Sequence, residues 1–203
     1  MLKNWDRPTQ NQTAWDCYVT NPSAVLQPDG SVALFFSSVP CTHGMFYESL
    51  GVAVASSFRA EFVQSSTPVW KKHTPPFDPP PSTGVGNIED PFAWRDRRGN
   101  YHIIAHSQGG TNVCGGSKGF ACSVHLFAEA ATGPWTPSLT PVFDAHTELT
   151  NGTDVTMATR QRPQIVFDAD GYTPRWMFVG GSFVETDFDN IRGVERTFAF
   201  EFE

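Results

Sequence analysis

Two acidic residues directly before a proline, Glu89-Asp90-Pro91, are the part of this chain best suited to chemistry. They lie in the stretch NIEDPFAWRDRRGNYHIIAH, residues 87–106, ahead of an aromatic-rich apolar run and a basic turn. Paired carboxyl groups suit general acid–base catalysis, because one can hold a proton while the other stays ionised. The alternative is a polar loop that precedes an ordinary hairpin.

The surroundings of this acid pair occur three times in the chain. A proline is followed eight residues later by a glycine that closes a polar turn, at Pro22–Gly30, Pro91–Gly99 and Pro163–Gly171. Apolar runs flank each turn, which is typical of a β-hairpin. The segments after the first two hairpins predict a third and a fourth strand. Four strands in each repeat of roughly 70 residues indicate the blades of a β-propeller.

The sequence therefore predicts an all-β fold, a β-propeller with about three four-stranded blades in this chain. We expect one incomplete propeller domain over residues 1–203, with blade-like repeats at about 15–70, 85–143 and 157–203. Propellers usually close with at least four blades, so we expect one or two more upstream of residue 1. A β-sandwich is the alternative, although it does not predict a regular repeat.

Three different polar residues stand directly before the three prolines: Asn21, Asp90 and Arg162. In a propeller the first strand of each blade lines the central channel and begins at one mouth of it. We therefore expect these side chains to share a pocket, since a purely structural role would more often repeat one residue type. The alternative is that each residue only caps the start of its own strand.

The motifs N-P…D-G-S, G-V-A-V-A, E-D-P-F-x-W-R-D-x-R-G-x-Y-H…A-H and R-P-Q…F-D-x-D-G follow one another over roughly residues 18–181. This series resembles the five-bladed β-propeller glycosidases of the family 43-like superfamily, and in particular a eukaryotic and marine branch of it. The resemblance implies hydrolysis of glycosidic bonds in a poly- or oligosaccharide. It also implies three carboxylates on three blades: a general base, an Asp that tunes the acid, and a Glu that protonates the leaving oxygen.

By this resemblance Asp90 is the tuning aspartate, and the general base belongs to an earlier blade. The general acid is expected just before the third proline, where this chain has Gln161, which cannot donate a proton as a carboxylic acid does. Glu148, Asp154 or Glu185 could replace it from a loop. The departure leaves a second interpretation open, a non-catalytic carbohydrate-binding propeller, and a third, a propeller that serves as a protein-interaction scaffold.

The candidates for binding a sugar are Asn21, Glu89, His106, Gln161 and Arg162. Glu89 is expected to point away from Asp90, because neighbouring side chains alternate along a strand. The planar fork of Arg162 suits a carboxylate or an acidic sugar, and a salt bridge to Asp90 is the alternative. His106 could hydrogen-bond sugar hydroxyls, or it could be a satisfied structural histidine.

Charge and composition restrict the partners of this protein. The formal net charge of −7 argues against nucleic acid, which needs clustered Lys and Arg. No run of 18 or more apolar residues predicts a membrane helix. The six His are dispersed, so we expect no metal or cofactor. A structural calcium ion in the channel is the one exception that the sequence does not exclude. The expected partner is a carbohydrate, and we expect a monomer once the propeller is complete.

Cysteines and sequons suggest an oxidising compartment. The four Cys residues lack zinc-type spacing and predict two disulfides, most simply Cys17–Cys41 and Cys114–Cys122; buried free thiols are the alternative. Asn11 and Asn151 begin N-x-T sequons for glycosylation. We therefore expect a secreted protein, although the first residues do not form a signal peptide.

Overall fold

The computed structural model describes residues 15–39, 48–70, 88–107, 121–183 and 196–202. Within these ranges the chain forms β-strands and no α-helix, so no helix in the described part is long and apolar enough to cross a membrane. The strands are β1 (Tyr18–Leu26), β2 (Val32–Val39), β3 (Ser49–Ala55), β4 (Val63–Gln64), β5 (Ile88–Arg95), β6 (Tyr101–Ser107), β7 (Cys122–Ala128), β8 (Thr136–Pro137), β9 (His146–Glu148), β10 (Asp154–Thr156), β11 (Thr159–Phe167), β12 (Pro174–Ser182) and β13 (Arg196–Glu201).

Three antiparallel sheets follow one another along the chain, each in simple strand order. Sheet 1 is β1–β2–β3–β4, sheet 2 is β5–β6–β7–β8 and sheet 3 is β11–β12–β13, while β9 and β10 pair as a separate hairpin. The predicted all-β blades are confirmed. Sheet 3 has three strands in the described residues, one fewer than predicted, and β13 is its third strand because it pairs with β12.

The inner hairpin of each sheet closes at the glycine of the repeat. Gly30, Gly99 and Gly171 have positive φ angles of 84°, 96° and 73°, a conformation that costs glycine little because it lacks a Cβ. Each glycine N–H donates to the carbonyl three residues earlier, at distances of 2.9, 3.0 and 2.8 Å. The spacing of proline and glycine along the chain therefore sets the distance from the proline in each first strand to the turn that follows the strand.

The three sheets are packed through the strand that begins each one. β5 lies against β1 on one side and against β11 on the other. Apolar side chains of sheets 1 and 2, among them Phe35, Val52, Ile103 and Val124, form one core cluster. A second cluster, built around Ile165 and its neighbours, joins sheets 2 and 3. This side-by-side order of first strands is that of blades around a channel.

Two histidines of sheet 2 face sheet 3 next to Trp94. The His102 and His125 rings are stacked with centroids 5.3 Å apart, and Trp94 is stacked on both. His102 Nδ1 and His125 Nε2 are 3.0 Å apart, while His102 Nε2 lies 3.5 Å from Asp96 Oδ2. Burial, and then the charge of His102, lower the pKa of His125 to about 4. The pair is therefore held with His125 neutral.

We expect acid to destabilise the fold through His125. The unfolded chain binds a proton at this residue near pH 6.5, whereas the folded chain resists it down to about pH 4, so stability falls across that window as pH decreases. The contribution is on the order of 1 kcal/mol. Thermal melts from pH 8 to 4 should show a shallower loss for His125→Phe than for the wild type. The exposed His146→Phe should follow the wild type, and parallel curves for all three proteins would contradict the prediction.

Candidate active site at the mouth of the channel

The end of the molecule at which β1, β5 and β11 begin is called the mouth here. Among the described residues, Asn21, Asp90 and Arg162 are the non-glycine residues with positive φ, at 49°, 54° and 54°. Each stands directly before its proline, at a break in the pairing register with the second strand. Each of the three aligned positions therefore lies in a β-bulge of its own strand, and the three bulges have the same backbone conformation. Strained backbone of this kind is concentrated at functional sites.

The bulge in β5 corrects the expected direction of Glu89. Pairing with β6 breaks between Glu89 and Phe92, so the regular alternation of side chains is interrupted there. Carboxylate oxygens of Glu89 and Asp90 and a ring nitrogen of His106 all lie within 4.8 Å of one another. Strand alternation predicted that Glu89 points away from Asp90, and this prediction is wrong: both acids face the same cluster.

Asp90 is the most buried acid of this cluster, with 6% of the residue exposed. Its Oδ2 atom is buried without a hydrogen-bond partner. Burial, followed by the negative charge of Glu89, raises the pKa of Asp90 above its usual value, and His106 and Arg162 only partly oppose this. Asp90 therefore holds a proton more readily than an ordinary aspartic acid.

Arg162 reaches the cluster from sheet 3. Its Nε lies 3.9 Å from Asp90 Oδ2, while 73% of its side chain is exposed. The salt bridge that the sequence left as an alternative is thus present as a loose pair, and most of the guanidinium faces solvent. Asn21 and Gln161, both half-buried, lie at the same end of their strands by register, on β1 and β11.

Glu48 joins the cluster from sheet 1 and was missed in the sequence. It directly precedes β3, and its carboxyl is hydrogen-bonded to that of Glu89. Burial raises the pKa of Glu48 to about 9, with further contributions from this hydrogen bond and from the charges of Glu89 and Asp90. A signal was available: in an antiparallel sheet the first and third strands begin at the same end. The residue before β3 therefore belongs to the mouth.

His106 closes the other side of Glu89. Its Nδ1 lies 3.2 Å from Glu89 Oε1, and only 2% of the side chain is exposed. His106 therefore orients Glu89 from the buried side of the cluster, and its ring does not face solvent. This agrees with the alternative of a satisfied structural histidine. The hydrogen-bonded pair of imidazole and carboxyl accounts for the closeness of these groups, and we assign no metal to them.

The geometry of the cluster restricts the chemistry it can perform. Two carboxyl groups form a hydrogen bond with each other only if one of them carries a proton, so Glu48 and Glu89 share one. Glycosidases place their acid and their base or nucleophile about 5 to 9.5 Å apart on two sides of the sugar. Glu48 and Glu89 are too close for that arrangement and act as one proton-holding unit. A base would have to stand elsewhere around the mouth.

The other predicted features lie away from this cluster or outside the described residues. Glu148 and Asp154 are exposed on the β9–β10 hairpin, where Asp154 Oδ1 lies 3.6 Å from His146 Nε2. Glu185 lies outside the described residues. Both Cys17 and Cys122 are disulfide-bonded. Their predicted partners, Cys41 and Cys114, lie outside the described residues, so the pairing stays a prediction.

Comparisons with known proteins identify the fold. No protein-family model matches the chain, and no curated protein matches it. Among solved structures, a thermostable family-43 glycoside hydrolase matches with a TM-score of 0.61 and 16% identity, over 91% of this chain and 55% of that one. A family-43 β-xylosidase/α-arabinofuranosidase from a compost microbial metagenome, solved with xylotriose in a calcium-free form, matches with a TM-score of 0.51 and 17% identity, over 79% and 42%.

This chain has the fold of the family-43 glycoside hydrolases. The β-propeller predicted from the repeat is therefore confirmed. The chain spans about half the length of the two solved structures, at 55% and 42% of each.

Proposed function

We propose that this protein is a carbohydrate-active protein of the glycoside hydrolase type, which cleaves the glycosidic bonds of a poly- or oligosaccharide by carboxylate acid–base catalysis. The observation that carries the proposal is the carboxyl cluster at the mouth. It combines a carboxyl that holds a proton at neutral pH, Glu48, with a second one of raised pKa, Asp90. Acid catalysis at neutral pH needs such a group.

Each residue of the cluster has a role in this proposal. Glu48 is the proton donor for the leaving oxygen, and Glu89 accepts the hydrogen bond that holds this proton until it is transferred. The water that attacks the sugar releases a proton, which restores the protonated pair. Asp90 tunes both carboxyls through its charge, since it already contributes to the raised pKa of Glu48. The exposed guanidinium of Arg162 binds hydroxyl or carboxylate groups of the sugar. Gln161 does not need to supply the acid when Glu48 does.

The fold gives independent support. The two solved structures reported above are family-43 glycoside hydrolases, and one of them was solved with xylotriose. A mouth that gathers carboxyls from two sheets and a guanidinium from a third is suited to a sugar, whose many hydroxyls need polar partners on several sides. The disulfide-bonded Cys17 and Cys122 support an extracellular setting, because disulfides persist in oxidising compartments. A monomer that acts outside the cell is part of the proposal.

Hydrolysis of aryl glycosides and of plant and algal polysaccharides by the wild type and by Asp90→Asn tests the function. We expect release of aryl alcohol or reducing sugar by the wild type and a loss of about tenfold or more in Asp90→Asn, because the amide removes a charge that tunes Glu48. Asp168→Asn, at an acid whose side chain is 43% exposed and pairs with Arg175, is the matched control and should hydrolyse as the wild type does.

Two outcomes would redirect the proposal. Equal hydrolysis by the wild type and by Asp90→Asn would remove Asp90 from the mechanism. Binding of a polysaccharide with no turnover would favour the second interpretation, a non-catalytic carbohydrate-binding propeller. That interpretation also draws on Gln161, which stands where the resemblance places the acid.

A further inference from the structure

The backbone that carries Glu89 and Asp90 is fixed by two serines of the neighbouring sheet. The Asp90 N–H donates to Ser37 Oγ at 3.1 Å, and the Ala93 N–H donates to Ser23 Oγ at 2.9 Å. Ser37 belongs to β2 and Ser23 to β1, so both hydroxyls belong to sheet 1. The two amides lie on either side of Pro91-Phe92, the irregular part of β5.

These two hydrogen bonds hold β5 at its bulge, where the pairing with β6 is interrupted. The register break means that β6 does not hold Asp90 in place as it holds the rest of β5. Asp90 also has a positive φ of 54°, which is unfavourable for a residue with a Cβ unless its surroundings enforce it. Ser37 is fully buried, so its hydroxyl meets the Asp90 amide without competition from water.

We propose that Ser37 and Ser23 are positioning residues of the mouth, which hold the β5 bulge in place and thereby aim Glu89 and Asp90 at the same point. This inference rests on the proposed function for its catalytic consequence but not for its geometry. The two serines act through the backbone of sheet 2 and touch no reacting group. The contact between sheets 1 and 2 is thus part of the site as well as part of the core.

Ser38 provides a matched control on the same strand. It is as fully buried as Ser37, and its Oγ–H donates to the Ser49 carbonyl at 3.3 Å within sheet 1. Ser38→Ala and Ser37→Ala therefore remove the same group from neighbouring buried positions. Only Ser37→Ala removes a hydrogen bond that crosses to β5.

The test compares Ser37→Ala, Ser23→Ala and Ser38→Ala by NMR titration of protein labelled with ¹³C-aspartate, with Asp90→Asn used to assign the Asp90 signal. We expect the titration midpoint of Asp90 to fall towards that of an ordinary aspartate in Ser37→Ala and Ser23→Ala, because the carboxyl gains water when the bulge relaxes. In Ser38→Ala it should stay where the wild type has it. On an aryl glycoside, kcat should fall about ten- to a hundredfold in the first two variants with little change in KM.

The outcomes separate this inference from the proposed function. Equal Asp90 titration in all three variants and the wild type would overturn the positioning role, whatever the activity. A wild type that hydrolyses nothing would remove the proposed function, yet the titration would still decide the positioning role. If Ser37→Ala does not fold, Ser23→Ala at its half-buried position carries the same comparison.

Discussion

Glu48→Gln is expected to remove most of the hydrolytic activity and at the same time to stabilise the fold at pH 7. Glutamine keeps the shape of the side chain and its hydrogen bond to Glu89, but it has no proton to donate. General acid catalysis typically contributes about 10² to 10⁴ in rate, and we expect a loss of that size. Initial rates on an aryl glycoside measure it.

The gain in stability follows from the sign of the pKa shift. Burial and its acidic neighbours raise the pKa of Glu48 to about 9 in the folded protein, whereas an unfolded chain releases that proton near pH 4.5. The folded state must therefore keep a proton that the unfolded state gives up, and stability falls as pH rises from about 4.5 to 9. Glu48→Gln removes this cost, a gain on the order of 1 kcal/mol for a half-buried group. Thermal melts at pH 7 measure it.

The pH profile gives a second reading of the same residue. Below about pH 9 Glu48 carries its proton, so the wild-type rate should decline on the alkaline side of that value, and the residual rate of Glu48→Gln should lack this decline. Glu129→Gln, at an exposed glutamate in the turn after β7, is the matched control and should change neither rate nor stability. An unchanged alkaline limb in Glu48→Gln would assign the proton donor to another residue.

Arg160→Ala is expected to cost the fold about 3 kcal/mol, because it removes a buried side chain together with its hydrogen bonds and its contacts with two aromatic rings. Only 4% of Arg160 is exposed. Its guanidinium lies between two aromatic rings, 4.5 Å from the centroid of Phe143 and 4.3 Å from that of Phe200. Burial lowers its pKa to about 10, so it remains charged at pH 7.

The hydrogen bonds of Arg160 connect three parts of the chain. Its Nη1 donates to the Asp144 carbonyl at 2.9 Å and to Thr147 Oγ1 at 3.1 Å. The side chain therefore fastens the β9–β10 hairpin and the segment before it to Phe200 on β13. Alanine would remove these bonds and both ring contacts and would leave a cavity.

Thermal unfolding measures this effect against a matched arginine. A loss of about 3 kcal/mol corresponds to a Tm lower by about 6–12 °C in a chain of this length. Arg175→Ala removes an arginine that is 57% exposed and paired with Asp168, so it should change Tm by no more than about 2 °C. Equal Tm values for the two variants would show that the packing of Arg160 between Phe143 and Phe200 contributes nothing to stability.

The hairpins of this protein could be predicted from the sequence, because their signals are local. Proline and glycine restrict the backbone at their own positions, so Pro22–Gly30 and its two counterparts indicate the same strand and turn wherever they occur. The alignment of these repeats also placed Asn21, Asp90 and Arg162 at equivalent positions, and the shared positive φ of the three residues agrees with that. Arg162 and Asp90 were expected at one mouth, and they lie 3.9 Å apart there.

The direction of Glu89 could not be predicted in the same way. Alternation along a strand is the correct rule for a regular ladder, and it fails at a bulge. All three first strands carry a bulge before their proline, but in β5 the groups that meet the bulged backbone come from the neighbouring sheet. There the Asp90 N–H meets Ser37 Oγ and the Ala93 N–H meets Ser23 Oγ, which lie 53 and 70 residues away along the chain.

Glu48 and Arg160 show most clearly what could not be predicted from the sequence. By itself the sequence determined the repeated hairpin, the all-β fold and the end of each sheet at which polar residues gather, because each of these follows from residues close together in the chain. The tertiary structure alone decided that Glu48 meets Glu89 and that Arg160 lies between Phe143 and Phe200. The physical reason is that a proton held at neutral pH and a buried charge are both products of burial and of neighbours on other strands.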